Sequence, residues 1–197
     1  MNKILLRHLE SKRGLFSSYI VILLFIFLFE SVAYAKTKKV MPNYFKVMAT
    51  KYQIPADVLY TLAITESNTK MKDGSYSPWP YTINLDGIGY RYASYEELVK
   101  QSKLLMRMGR ESFDVGLFQV NWKWNGHRTS SIDELADPYE NVRVAAEILK
   151  EQYRLYGEWA IAAGRYHNPS NSKGFASEYE KRFRSNLEKV RQEMELN

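Results

Sequence analysis

The sequence predicts a mainly α-helical domain with one small β-hairpin. Apolar residues recur at three- and four-residue spacing through most of the chain after residue 42, as they do on the buried face of a helix. Capping boxes at Ser94/Glu97 and Ser131/Glu134 mark helix starts, and Gly109 and Gly157 stand where helices stop. A single Asp-Gly pair, Asp86-Gly87, sits between two β-prone runs and signals a tight hairpin.

In chain order, residues 1–35 have the layout of a secretory signal peptide. Lys3, Arg7, Lys12 and Arg13 precede an apolar run over 19–29, and Ala33-Tyr34-Ala35 is a small-x-small cleavage site before Lys36. The run is short for a bilayer span, which needs about 20 residues. Cleavage after Ala35 is expected, with an uncleaved signal anchor as the alternative, and either exports the remainder to the periplasm or beyond. A first helix is predicted over 42–52. Pro55 fits the first turn of a second helix, where its missing N–H costs nothing, and that helix runs to about residue 66. Residues 67–80, rich in Ser, Asn, Asp, Gly and Pro, read as a loop, and 81–92 as the hairpin. A helix over about 94–108 follows, then FDVGLFQVN as one or two helical turns, and a short capped helix after Ser131. Residues 138–156 carry the clearest stripe, Val142, Ala145, Ala146, Leu149, Tyr153 and Tyr156. A helix over 159–166, a polar loop over 167–174 and a charged helix from 175 close the chain. The domain plan is therefore 1–35 signal peptide, 36–174 main helical domain and 175–197 C-terminal helix. That last helix either packs on the domain through Phe183, Leu187, Val190 and Met194 or offers this face to a partner.

With no cysteine, disulfides, thiol nucleophiles and thiolate metal sites are excluded. The three histidines, His8, His127 and His167, do not pair at metal-ligand spacing, so no metal and no cofactor are expected. The net charge of +6 favours polyanions, but no dense Lys/Arg stripe follows the N-terminal region and no nucleic-acid partner is expected. An acidic wall polymer fits this charge. The 15 Tyr and 4 Trp suit either carbohydrate surfaces or an aromatic core.

The candidate chemistry centres on LYTLAITESN, residues 59–68. Leu59, Leu62, Ala63 and Glu66 fall on one helical face, which places a carboxylate on an apolar side. Either Glu66 leans into solvent at the helix end, or it faces a cleft. In a cleft, desolvation would raise its pKa and keep it protonated, as a general acid requires. Downstream, FDVGLFQVN sets Asp114, Gly116, Gln119 and Asn121 in an apolar frame, and Gln and Asn amides suit the hydroxyl and N-acetyl groups of sugars.

Four motifs then occur in order: Glu66-Ser67 after an apolar helix, Gly116-Leu117-Phe118-Gln119, Asn141-Val142 before an Ala-rich helix, and Tyr166 in AAGRY. Over roughly residues 50–170 the chain resembles the catalytic domain of the soluble lytic transglycosylases, whose fold is lysozyme-like. The WPYTIN and DVGLFQVN stretches look most like the branch associated with conjugative transfer and type IV secretion, whose components are then possible partners. The resemblance implies that Glu66 is the sole catalytic acid and base. It implies that Ser67 touches substrate, that Gly116, Leu117, Gln119 and Asn121 line the sugar cleft, that Asn141 orders the loop before its helix, and that Tyr166 supports Glu66. The family usually has Tyr-Asn where this chain has Tyr166-His167, which leaves His167 and Asn168 without an assigned role. The implied reaction cuts the β-1,4 bond between N-acetylmuramic acid and N-acetylglucosamine in peptidoglycan and leaves a 1,6-anhydro sugar. Two rivals remain at this stage: a hydrolytic muramidase using a second carboxylate, for which Asp114 is the candidate if it does not cap a following helix, and a wall-binding assembly factor without activity.

Overall fold

The computed structural model describes residues 39–195, so the expected signal peptide lies outside the described residues. The described chain is mainly α-helical, with a small antiparallel sheet. It opens with β1 (Lys39–Val40), which pairs in parallel with β8 (Met194–Glu195) at the other end of the chain.

Helix α1 (Asn43–Tyr52) begins behind Pro42 and ends at Gln53 in the left-handed region. Helix α2 (Ala56–Ser67) carries Glu66. Pro55 stands at its N-cap, one residue outside the first turn, where the absent N–H is equally harmless. Residues 57–63 of α2 are all buried, which marks it as the central helix. Thr61 and Ser67 tolerate this because their hydroxyls donate to the carbonyls of Asp57 and Ala63 one turn back.

The segment expected to be a loop is not wholly irregular. It carries a short ladder, β2 (Asn68–Lys70) against β3 (Tyr76–Pro78), closed by the turn around Gly74. The predicted hairpin is present as β4 (Thr82–Leu85) and β5 (Ile88–Arg91). Asp86 and Gly87 both adopt positive φ, as a primed two-residue turn needs, and Arg110 forms an ion pair with Asp86 at its tip.

FDVGLFQVN corrects the sequence reading. It forms β6 (Asp114–Val115), a tight turn and β7 (Val120–Asn121), not a helical turn. The sheet runs in the order β5-β4-β6-β7. Pairing overrides local propensity here because β4 offers an open edge to this apolar segment. Asp114 therefore caps no helix. Asn121 does so, accepting from Trp124 N–H at the head of α4 (Trp122–Asn125).

Helix α3 (Tyr95–Arg107) opens on the predicted capping box. Ser94 Oγ accepts from Glu97 N–H, and Glu97 reaches back to Ala93 N–H. The same reciprocal pair, Ser131 with Glu134, opens α5 (Ile132–Ala136). Helix α6 (Pro138–Tyr156) is capped by Asp137 and ends at Gly157. Helix α7 (Trp159–His167) packs between it and the last helix, α8 (Phe175–Glu193). The α7–α8 approach is close enough to require Gly164, since a Cβ there would lie 2.5 Å from the carbonyl oxygen of Ala176. Helix α8 lies along α2 and α7 within one compact unit, burying Ala176, Tyr179, Phe183, Leu187 and Val190. Of the two options open for this helix, packing on the domain is the one observed.

Candidate active site

The pleat of the small sheet sorts its residues into two rows. Ile83, Val115 and Val120 are aligned across β4, β6 and β7 and are at most 1% exposed. Asn84, Asp114 and Asn121, one residue over on each strand, are also aligned and point to the opposite face. This second row lines a cavity of about 150 Å³, together with Glu66, Gln119, Val120, Asn125, Ile148, Tyr166 and His167. An apolar row anchors the sheet in the core, and the polar row thereby becomes a cavity wall.

Glu66 comes to the cavity from the last turn of α2. Its side chain is enclosed by α8 and the sheet, and Tyr179 of α8 donates a hydrogen bond to Oε1 at 2.5 Å. Burial pushes its pKa up to about 8, and the nearby carboxylate of Asp114 adds to this. The hydrogen bond from Tyr179 and the positive charge of Arg182 pull the other way. Tyr179 leaves Oε2 as the oxygen able to carry the proton into the cavity. The solvent-facing alternative for Glu66 is thus not the one adopted.

The Tyr179 ring is itself held. The imidazole of His167 stacks on it at 4.6 Å, and the Arg182 guanidinium lies 4.9 Å from its centroid. Burial, reinforced by Arg182, lowers the pKa of His167. The imidazole thus packs on the tyrosine and lines the cavity. The support that the resemblance assigned to Tyr166 therefore comes from Tyr179. Tyr166 lines the same cavity, but its hydroxyl donates to the Phe118 carbonyl at 2.7 Å. The reason is topological: α8 crosses α2 at Glu66, while α7 faces the turn between β6 and β7.

That turn is built around Asn141. Its amide donates to the carbonyls of Val115 at 3.0 Å and Leu135 at 2.9 Å, and its oxygen accepts from Phe118 N–H at 2.8 Å. Gly116 has φ +84°, and a Cβ there would lie 2.5 Å from Asn141 Nδ2, so no side chain fits. The outcome of the turn is Gln119, held at φ 48°. Its amide nitrogen donates to Thr82 Oγ1 at 2.6 Å and Gly116 O at 2.8 Å, so both its N–H groups are used within the protein and Oε1 is the atom able to accept in the cavity. Asn121 Nδ2 donates to Asp114 Oδ1 at 2.8 Å, and burial raises the pKa of Asp114 despite that bond.

Gln119, Asn121 and Tyr166 thus meet Glu66 in one cavity, as do His167, which the sequence left without a role, and Asn84 and Asn125, which it did not single out. Ser67, expected to touch substrate, is 2% exposed and bonded back to Ala63, because it follows Glu66 around the helix onto the packed side. Gly116 and Leu117, whose backbone was expected to line the cleft, are both buried beside this cavity's Gln119. Gly116 spends its backbone groups on Thr82 and Gln119, and Leu117 is buried in the core. Tyr179 was not singled out in the sequence, where the stripe on this helix began at Phe183; nothing local linked its hydroxyl to a residue 113 positions away. Among the described residues, no group of three or more His, Cys, Asp or Glu side chains stands where it could hold a metal ion.

Comparison with protein families matches residues 43–188 to the transglycosylase SLT domain. No curated protein and no solved structure matches the chain significantly. The matched span starts with α1 and runs into α8, so it takes in Glu66, the sheet, Asn141 and Tyr179. A mainly helical fold, an enclosed acid at the end of its central helix and a family match over most of the length agree: the chain belongs to the SLT transglycosylase family.

Proposed function

We propose that this chain is a peptidoglycan lytic transglycosylase with Glu66 as its one catalytic acid and base. The observation that carries the reading is the buried Glu66 carboxyl, protonated near neutrality and aimed into a cavity walled by amides. Protonated Glu66 gives its proton to the glycosidic oxygen of the β-1,4 bond between N-acetylmuramic acid and N-acetylglucosamine. The C1–O4 bond breaks and positive charge develops at C1. The resulting carboxylate then takes the proton of the muramic 6-hydroxyl, whose oxygen closes on C1. A 1,6-anhydro sugar and a free 4-hydroxyl result, no water is consumed, and Glu66 is protonated again for the next cycle. Gln119 Oε1, Asn84, Asn121 and Asn125 bind the sugar hydroxyls and N-acetyl groups. The leader at 1–35 and an extracytoplasmic substrate support export to the periplasm, and the WPYTIN and DVGLFQVN stretches support service to a secretion or conjugation apparatus.

A second reading rests on Asp114, which shares the cavity and raises the Glu66 pKa by its charge. With a water between the carboxylates the enzyme would be a hydrolytic muramidase. Against it, Asp114 is buried and tied to Asn121. The products decide. Digestion of purified peptidoglycan with residues 36–197 is expected to release muropeptides lighter by one water than their reducing counterparts. Reducing ends in their place would transfer the reaction to Asp114.

The pH profile follows from the acid. Activity needs Glu66 protonated at the start of each cycle, so kcat/KM is expected to hold through neutrality and fall tenfold per unit above about pH 8. Tyr179 stabilises the ionised form, so Tyr179→Phe should move this limb to higher pH while lowering turnover about tenfold through loss of positioning. An unmoved limb in that variant, or a wild-type limb near the ordinary value of 4.5, would refute the assignment.

A further inference from the structure

Besides the Glu66 cavity, a larger groove of about 590 Å³ is lined by the end of β2, the turn that follows it, Trp79 and the end of β5. Its partly buried lining is Met71, Trp79 and Tyr92, with Thr69 at one edge. Its exposed lining is cationic: Lys70, Lys72 and Arg91. The groove contains one acid, Asp73, whose carboxylate is engaged by Ser75, accepting from its N–H at 2.9 Å and its hydroxyl at 2.7 Å. Arg91 is planted by Thr69 Oγ1 at 2.7 Å and the Asn68 carbonyl at 3.3 Å, neither of which neutralises its charge. Positive charge is therefore left in excess around an aromatic floor.

The groove is continuous with the catalytic helix. Trp79 donates its backbone N–H to the carbonyl of Ser67, the residue after Glu66, at 3.1 Å, and its indole N–H to the Tyr92 carbonyl at 2.9 Å. Thr69, at the near edge, is three residues from Glu66, which bounds the separation of their Cα atoms at roughly 11 Å. We propose that this groove binds the acidic peptide attached to the lactyl group of the muramic residue held in the cleft. The inference rests on the transglycosylase reading. An extended peptide of four residues reaches roughly 14 Å, enough to pass from the cleft into the groove. Its free carboxylates match the three cations, and its small aliphatic side chains match Met71 and the Trp79 face. The groove makes the enzyme selective for glycan that still carries its peptides.

The test compares wild type with Lys70→Glu/Lys72→Glu on two substrates: glycan strands with peptides intact, and the same strands stripped by an amidase. Both lysines are exposed, so the fold should tolerate the change. The expected result is about a tenfold loss of kcat/KM on intact strands, carried by KM and weakened by salt, with less than a twofold change on stripped strands. Equal loss on both substrates, or none on either, overturns the groove assignment and leaves the transglycosylase standing. If wild type cuts neither substrate, the functional reading fails. Sedimentation with intact and stripped walls then judges the groove alone: retention lost by the variant only on intact walls supports it, and equal retention overturns it.

Discussion

Glu66→Gln is expected to lower turnover of peptidoglycan by about 10²- to 10⁴-fold, the usual worth of a positioned general acid, with the protein fully folded. Gln keeps the shape and still accepts from Tyr179, but it has no transferable proton. The same substitution should raise stability. Glu66 is an acid whose folded pKa of about 8 lies above its ordinary value of 4.5. Such a group opposes folding increasingly as pH rises from the unfolded value to the folded one, because the unfolded chain can release the proton and the folded chain holds it. At pH 7 the penalty is on the order of 3 kcal/mol. Thermal melts of the variant should therefore lie at or above wild type at pH 7 and coincide with it near pH 4. Inactivity joined to a lowered melting temperature would make Glu66 a structural residue. A variant that still cleaves would end the proposal that it is the acid.

Asn141→Leu is expected to be the most damaging change to the fold around the site. It leaves the Val115 and Leu135 carbonyls and the Phe118 N–H without their partners, at a position that is 0% exposed. Buried polar groups stripped of partners cost about 1–3 kcal/mol each, so a total of roughly 3–5 kcal/mol is expected once the site relaxes. For a chain of this size that corresponds to a fall of roughly 10 °C in Tm. Calorimetry measures it directly, and a Tm within a degree of wild type would show that the amide does not hold the turn. Activity should fall with it, since Gln119 and Asp114 flank that turn. The reciprocal change, Gly116→Ala, meets the same amide from the other side.

Much of the fold was legible because its signals are local. Capping boxes at Ser94 and Ser131, the Asp86-Gly87 turn and the stripe on α6 each fix an element from residues within a few positions of one another. FDVGLFQVN shows the limit. Its apolar pattern suits a short helix or a short strand equally, and the choice was made by β4, some thirty residues earlier. The site divides the same way. Glu66 was visible as an acid on an apolar stripe, and Gln119 and Asn121 as amides in an apolar frame. Ser67 was misplaced because adjacency in sequence turns a side chain by about 100° around a helix, away from the cavity.

The sequence by itself determined the helical class, the caps and turns, and the acid placed among apolar residues. Those depend on short-range sterics and periodicity, which a chain carries wherever it folds. The tertiary structure decided which tyrosine serves Glu66, that Asn84, Asp114 and Asn121 form one wall, and that Lys70, Lys72 and Arg91 share a groove. It also set the protonation of Glu66, because a pKa moves with the water removed by α8 and the sheet, and no local pattern encodes that enclosure.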